Sequence, residues 1–368
     1  MSLGHQFGFL VELGNQNIAS KFNRAMTALA LARLTNRKLL KITGPDCYPY
    51  LQGLLCNDVR YLYEPDRIPE RKHAKNSSNA MGAFMLNAHG KAICDILLYR
   101  TALTRQDCVF TPPGQAYEHD ELLIECDSSL ASGLANTLYG YRLRRKIRLS
   151  IENELTTWCL FPKLVDNHDS SALASFEERI SVLSDVGEII GDGLTIVNDP
   201  RILSMGMRII SKTTDFIDLK SSIQSITNQD ILESTLKDYT IHRYMLGVGE
   251  GGQDHPESNC FPLECNADLL GSVSYDKGCY LGQELTARIH FTGVVRKRLM
   301  PITLDTKIDL RSGTEIVDSN GKRLGLLRKA VGNRGLALMR HELAIASQDL
   351  VHEETGTKIS TQVPYWWH

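Results

Sequence analysis

Residues 276–298 read DKGCYLGQELTARIHFTGVVRKR. Gly278 and Gly282 flank Cys279 and Tyr280, and the good helix formers from Gln283 to Ile289 predict a helix that opens just after the thiol. A cysteine at such a helix start faces unsatisfied N–H groups and the positive end of the dipole, which favour the thiolate, and Lys277 pushes the same way. Cys279 is thus the candidate reactive thiol among nine cysteines, its bland alternative being an inert, half-buried thiol at a tight turn. Glu284 and Arg288, at i and i+4, suit an exposed helix face, a pairing worth roughly 0.2–0.5 kcal/mol. Lys277, Arg288, Arg296, Lys297 and Arg298 together form a basic patch that would suit a polyanionic tail or an acidic partner. No aromatic residues interleave it in the manner of single-strand binders, so nucleic acid is not the expected partner.

Working outward, the chain beyond Pro301 changes to brief strands with turns at Arg311-Ser312-Gly313, Ser319-Asn320-Gly321 and Gly332-Asn333. Asn-Gly between short strands is a hairpin signal, and a small antiparallel β-barrel or sandwich is expected there. Upstream, Ile231, Leu232, Leu236, Tyr239 and Met245 recur at helical spacing over 228–246, and GVGEGGQD at 247–254 reads as a loop. Nearer the amino terminus KLLKITG (38–44) reads as a strand followed by a helix. GAFMLN (82–87) and KAICDILLYR (91–100) form a hairpin through Ala88-His89-Gly90, and KIRLSIEN (146–153) alternates as a half-exposed strand should. Mixed order with short hairpins predicts α+β layers rather than a doubly wound sheet. The divisions expected are a targeting segment or first helix over 1–34 (the helix running Arg24 to Leu34), an α+β domain over 35–150, a middle α+β domain over 151–298 carrying the cysteine motif, and a C-terminal β-barrel over 299–368.

Composition narrows the function classes. Lys+Arg number 41 against 43 Asp+Glu, a net charge of −2, which excludes a polybasic wrapper of nucleic acid and an acidic disordered tail. Nine scattered cysteines without a CxxC pair speak against a secreted disulfide framework. No run approaches the roughly 18 apolar residues of a membrane span. Cys260, Cys265 and Cys279 match no common zinc spacing, so no metal site is expected from them. The first 41 residues hold Lys21, Arg24, Arg33, Arg37, Lys38 and Lys41 against Glu12 alone, the acid-poor balance of a mitochondrial transit peptide.

KGCYLGQELTAR at 277–288 closely resembles the K-G-C-Y-x-G-Q-E signature of the YgfZ family, folate-binding proteins needed for iron–sulfur cluster assembly. Among these it is most similar to the eukaryotic mitochondrial branch that acts late in making [4Fe-4S] clusters. LLKITGPDCYPYLQGLLCNDV (39–59), AFMLNAHGKAICDILLY (83–99), PLECN (262–266) and GLALMRHE (335–342) follow the family's order from about residue 35 to 345. The resemblance implies the glycine-cleavage T-protein (aminomethyltransferase-like) fold, three domains in a ring around a channel that accepts tetrahydrofolate. In T-protein-like enzymes the strand matching KAICDILLY carries two acids near the folate. Here Cys94 stands at one of those positions and only Asp95 remains, as acid for the folate nitrogen. Cys56 stands where the family usually has Thr.

Carried over by position, Lys277, Gly278, Cys279, Tyr280, Gly282, Gln283, Glu284 and Arg288 are the site residues. Cys279 is the reactive thiol, the glycines permit a tight turn, and Gln283 with Glu284 orients neighbouring groups. Asp95, Tyr239, Arg243 and Glu250 are the folate contacts implied, and Arg296, Lys297 and Arg298 the partner patch. The function implied is a mitochondrial matrix factor for [4Fe-4S] cluster assembly, with tetrahydrofolate as ligand, a transient cluster shared with a partner, and A-type scaffold proteins and a ferredoxin as partners. Its alternative is a tetrahydrofolate-dependent aminomethyl or one-carbon transferase. A third reading is a non-catalytic adaptor working through the basic patch.

Overall fold

The computed structural model describes residues 29–70, 79–100, 121–163, 189–191, 193–227, 230–308, 310–347 and 349–367. The chain begins with β1 (Leu29–Arg33) and β2 (Arg37–Thr43), which go to different sheets. After α1 (Cys47–Gln52) come β3 (Ala80–Leu86), β4 (Ala92–Arg100), β5 (Glu121–Asp127), α2 (Ala131–Tyr141) and β6 (Arg148–Glu152). These strands and β2 build a five-stranded sheet in the order β3-β4-β5-β2-β6. Its outer face is apolar at every second residue, with Cys94, Ile96 and Leu98 of β4 beside Leu122, Ile124 and Cys126 of β5, and it is covered by α1 and α2. Fully burying each such Leu or Ile is worth about 1.5–3 kcal/mol.

A second, six-stranded sheet is assembled from β7 (Thr156–Pro162), β8 (Ile189–Gly191), β9 (Leu194–Asn198), β10 (Met207–Ser211) and β11 (Ile231–Ser234), with β1 between β11 and β7. Its outer face is closed by α3 (Phe216–Thr227) and its inner face meets the first sheet through Val197 and Ile210. There follow α4 (Leu236–Leu246), the one-turn α5 (Gly251–Asp254) and α6 (Gln283–Thr292). The remainder forms a closed barrel of β12 (Arg298–Leu304), β13 (Glu315–Val317), β14 (Arg323–Val331), β15 (Arg334–Met339), β16 (Leu350–His352) and β17 (Lys358–Thr361), with α7 (His341–Ala346) after β15.

Three expectations need correction. Leu29 to Arg33 is a strand, not the end of a helix over Arg24–Leu34; residues 24–28 lie outside the described residues. Leu29, Ala30, Leu31 and Ala32 are buried on both faces, and a short apolar run flanked by two strands satisfies its backbone in a sheet. The helix expected over 228–246 begins only at Leu236, because Thr235 and Asp238 form a capping box there and Ile231–Ser234 pairs in parallel with β1. Segment 247–254 carries a single helical turn where a plain loop was expected. The sheets also interleave the sequence: β1 joins the strands of 156–234, and Ala92 N–H donates to the Cys260 carbonyl and Ser274 N–H to that of Cys56, so segment 256–282 returns to the first sheet. We keep the division into 35–150, 151–298 and 299–368 as a proposal about chain order alone.

Candidate functional site

Cys279 is exposed in the loop before α6. The other seven described cysteines are buried, and Cys108 lies outside the described residues. The two sequence features that favoured reactivity are placed elsewhere. The helix N-cap is Gly282 and its first residue Gln283, so Cys279 sits ahead of the first turn, where dipole effects fall away. The Lys277 ammonium turns inward and donates to three carbonyls, those of Gln52 at 2.8 Å, Leu55 at 2.6 Å and Asn57 at 2.7 Å, and lies 4.9 Å from the Tyr280 ring centre. Burial brings its pKa down to about 8. Lys277 therefore clamps the loop to the chain after α1, and Leu281 N–H donating to the Gly53 carbonyl at 3.1 Å is a second clamp.

The two glycines have different duties. Gly282 has φ +77°, and a Cβ there would lie 2.3 Å from the Asn87 carbonyl oxygen and 3.2 Å from Gly90 Cα. The β3–β4 turn thus sits directly against the start of α6. Gly278 has open space around it and a φ outside the left-handed region, so the expectation that both glycines serve a tight turn holds at Gly282 alone. Gln283 Oε1 accepts from Tyr280 N–H at 3.1 Å, fixing the residue after the thiol. Glu284 and Arg288 are both exposed and form no ion pair within 4.0 Å, so the i,i+4 pairing expected of them is not made. Arg296 and Lys297 are exposed, but Arg298 is withdrawn from the partner patch. Its guanidinium grips Asp268 at 2.9 and 2.8 Å, donates to the Leu263 carbonyl and stacks on Trp367, because β12 must be tied to the preceding loop.

The second element is a buried charge network between the sheets. Arg37 Nε donates to Glu125 Oε1 at 2.7 Å, and Arg37 Nη1 lies 3.6 Å from Asp95 Oδ2. Arg201 bridges Asp199 at 2.7 Å and Glu250 at 2.8 Å. Arg208 donates to Glu250 and, at 2.7 Å, to the Tyr239 hydroxyl, while Arg243 holds Asp254 at 2.9 Å. Burial alone would push Glu250 up, but the guanidiniums of Arg208, Arg37, Arg201 and Arg243 hold it well below the usual carboxylate range. Asp95 accepts from Gly251 N–H at 2.9 Å and stands 3.2 Å from His255 Nδ1. Burial opposes its charge too, yet His255 and Arg37 hold it low, and burial of His255 is in turn outweighed by Asp95, which raises the histidine above its ordinary value. Five carboxylates thus meet four guanidiniums, and His255 stands beside Asp95 as the fifth basic group.

The four residues read as folate contacts do come together here, as parts of one interior network. Tyr239 and Arg243 are 0% and 3% exposed, with the Tyr239 ring enclosed by Phe161, Arg208 and Arg243. They brace the network, and a stacking or cationic contact with a ligand does not fit their burial. Asp95, at 7%, is the most exposed of the four. Several polar atoms near it have no hydrogen-bond partner among the described residues: Arg37 Nη1 and Nη2, the former 3.6 Å from Asp95 Oδ2, and Arg243 Nε and Glu250 Oε1, 3.9 Å apart. The residues fit a polar ligand edge at Asp95, and the Tyr239 side is closed. Cys94 points to the opposite face of β4, into the apolar layer under α1 and α2, so its position could not have supplied a second acid beside Asp95. Cys56 is likewise internal: its thiol donates to the Ser272 carbonyl, accepts from Phe84 N–H, and is pushed up to about 12 by burial. Among the described residues no three His, Cys, Asp or Glu side chains gather to hold a metal ion.

Sequence reasoning missed Arg37, Arg208, Glu125 and His255. A charged residue set among apolar ones within a strand, as in MRIIS and ELLIECD, was the available signal for Arg208 and Glu125, whereas Arg37 opens its strand between Asn36 and Lys38 and carried no such signal.

Residues 296–368 match the family described as CAF17, C-terminal beta-barrel domain. The chain is 32% identical over 350 residues to the human protein named iron-sulfur cluster assembly factor IBA57, mitochondrial, covering 93% of this chain and 86% of the relative. The chain belongs to the IBA57 family. The mouse member is also 32% identical, over 91% of this chain and 84% of its own, and that of Neosartorya fischeri 32% over 90% and 74%. Among solved structures, the glycine cleavage system aminomethyltransferase T from Bartonella henselae superposes with a TM-score of 0.60 at 13% identity, covering 92% of this chain and 86% of that one. The IBA57-family chain therefore has the T-protein fold that the resemblance of its signature implied, with the α+β layers and terminal barrel read from its residues.

Proposed function

We propose that this IBA57-family chain serves iron–sulfur cluster assembly in the mitochondrial matrix, at the stage that matures [4Fe-4S] proteins. The observation that carries this reading is Cys279, the one exposed thiol among the described cysteines, mounted on a loop clamped by Lys277, Leu281 and Gln283. A thiol held in fixed geometry and open to a partner can ligate iron as its thiolate, releasing a proton as it binds. The relatives' names support the process and compartment. A-type scaffold proteins carrying a transient cluster, with a ferredoxin as electron source, are the proposed partners. Tetrahydrofolate is the proposed ligand at the Asp95 end of the interior network, supported by the signature's resemblance and by the unpartnered polar atoms there.

Aminomethyl transfer is the weaker reading. Asp95 is already engaged by Gly251 N–H, Arg37 and His255, and no second acid stands beside it on β4. The test is replacement of the endogenous protein by wild type or Cys279→Ser, with aconitase and lipoate synthase activities as readout. We expect wild type to restore both and the serine variant to restore neither at equal protein level. Full restoration by the serine variant would remove the thiol from the function.

A further inference from the structure

The segment YRLRRKIR, residues 141–148, joins α2 to the edge strand β6 and has no part in the site described above. Arg144, Arg145, Lys146 and Arg148 are exposed, and among the described residues no carboxylate oxygen lies within 4.0 Å of any of these cations. Arg142 packs its guanidinium 5.1 Å from the Tyr139 ring centre. In a chain of net charge −2 this is a dense, unneutralised positive face. It is also apolar in the wrong place for a fold: Tyr139 is 63% exposed, Tyr141 43% and Leu143 85%. Leu143 has φ +47°, in the left-handed region that a branched side chain rarely adopts, and gains no burial in return. Such strain is kept where the surroundings enforce it, and here they do. Lys146 N–H donates to Asp46 Oδ2 at 2.7 Å, Ile147 is buried, and the Lys146 carbonyl sits where a Cβ on Gly44 would be, so the face is preformed.

Tyr141 to Arg145 line an open groove of about 690 Å³ together with Pro49, Tyr50, Gly53, Leu54 and Asp46, whose Oδ2 is already taken by Lys146 N–H. Gly53 is the residue whose carbonyl holds Leu281 of the Cys279 loop, and Lys277 grips the adjacent Gln52. The groove and the thiol loop thus share a wall.

We propose that this groove is the docking site for an acidic segment of the partner protein that meets Cys279, with one bulky apolar side chain entering between Tyr50 and Leu143 and flanking carboxylates on Arg142, Arg144, Arg145 and Lys146. The charge selects an acidic occupant. The groove is lined by Pro49, Tyr50 and Leu54 as well as Leu143, a recess that suits one inserted side chain, and a bilayer contact at the protruding Tyr139, Tyr141 and Leu143 is the outcome that the vesicle arm of the test reads. The identity of that partner rests on the assembly reading above; the groove's chemistry does not.

The test uses the full chain and a fluorescent nine-residue peptide of glutamates around a central leucine, followed by anisotropy. We expect saturable binding that weakens at least tenfold in Arg144→Glu/Arg145→Glu/Lys146→Glu, severalfold in Leu143→Ser or when the peptide's leucine is replaced by serine, and is unchanged in Cys279→Ser. The milder triple Gln variant, checked by circular dichroism, guards against misfolding. Equal binding to the reversal variant, or to a lysine version of the peptide, overturns the proposal. So does sedimentation with phosphatidylcholine–phosphatidylglycerol vesicles that the same variant abolishes while the peptide fails to bind. A parallel complementation with the reversal variant keeps the readings apart. Loss of aconitase with Cys279 intact supports docking, and wild-type aconitase alongside lost peptide binding overturns the partner role while leaving the thiol reading standing.

Discussion

Two glycines three and one residues from Cys279 make opposite demands, and replacing each by alanine tests the geometry of the site. At Gly282, with φ +77°, an alanine enters the left-handed region at about 1–2 kcal/mol. Its Cβ would also lie 2.3 Å from the Asn87 carbonyl oxygen, a backbone atom of the β3–β4 turn, so the turn and the loop must separate by about 1 Å. Overpacking of that kind costs about 1–3 kcal/mol. The total, about 2–5 kcal/mol, falls on one contact, between a turn closed by Gly90 N–H donating to the Asn87 carbonyl and a loop closed by Leu281 N–H donating to that of Gly53. Gly278→Ala meets nothing within 4 Å and should stay within about 0.5 kcal/mol of wild type. Native-state hydrogen exchange reads this locally: the Gly90 and Leu281 amides should exchange at least tenfold faster in Gly282→Ala and at the wild-type rate in Gly278→Ala, a tenfold change being about 1.4 kcal/mol. Equal protection in the two variants would refute the claim that Gly282 fixes the thiol loop against the hairpin.

His255 and Arg298 give two further tests. His255 is raised above its ordinary value by Asp95, so its contribution is complete below about pH 6.5 and is lost as pH rises through the folded value. The urea midpoint of wild type minus that of His255→Gln should accordingly shrink between pH 6 and 8, and a difference that grows would reverse the assignment of charge. Arg298→Ala should lower the thermal midpoint, because it leaves Asp268 and the Leu263 carbonyl without their donor, whereas Arg296→Ala and Lys297→Ala should leave it unchanged. Equal melting of all three variants would place Arg298 back on the surface.

The motif around Cys279 was legible in part because one of its residue types is demanded by the backbone, glycine at 282 where φ is +77°. Its electrostatics were misread in two respects, the helix beginning only after Gly282 and Lys277 turning away from the thiol. Lys277 is two residues before Cys279 in sequence, and nearness along the chain suggested an electrostatic effect on the thiol, but the side chain spans to carbonyls of Gln52, Leu55 and Asn57, more than 200 residues away. Arg37 was misread for the same reason. Counted with the basic amino terminus, it is a fully interior cation, and Lys41 is paired with Glu121 at 2.8 Å.

By itself the sequence determined the local vocabulary: hairpin turns at Gly90 and Gly321, alternation along β6, a small antiparallel barrel or sandwich after Pro301, and the one cysteine set between two nearby glycines. Those properties depend on period and on backbone freedom, which are carried by neighbouring residues. Only the tertiary structure decided that β1 belongs with strands more than 120 residues later, that Asp95, Glu250 and His255 share one charge balance, and that the thiol loop leans on α1. These are effects of burial and of distance through space, where the one guanidinium of Arg37 can answer carboxylates from two strands and a loop, and no spacing rule along the chain records which of them it will meet.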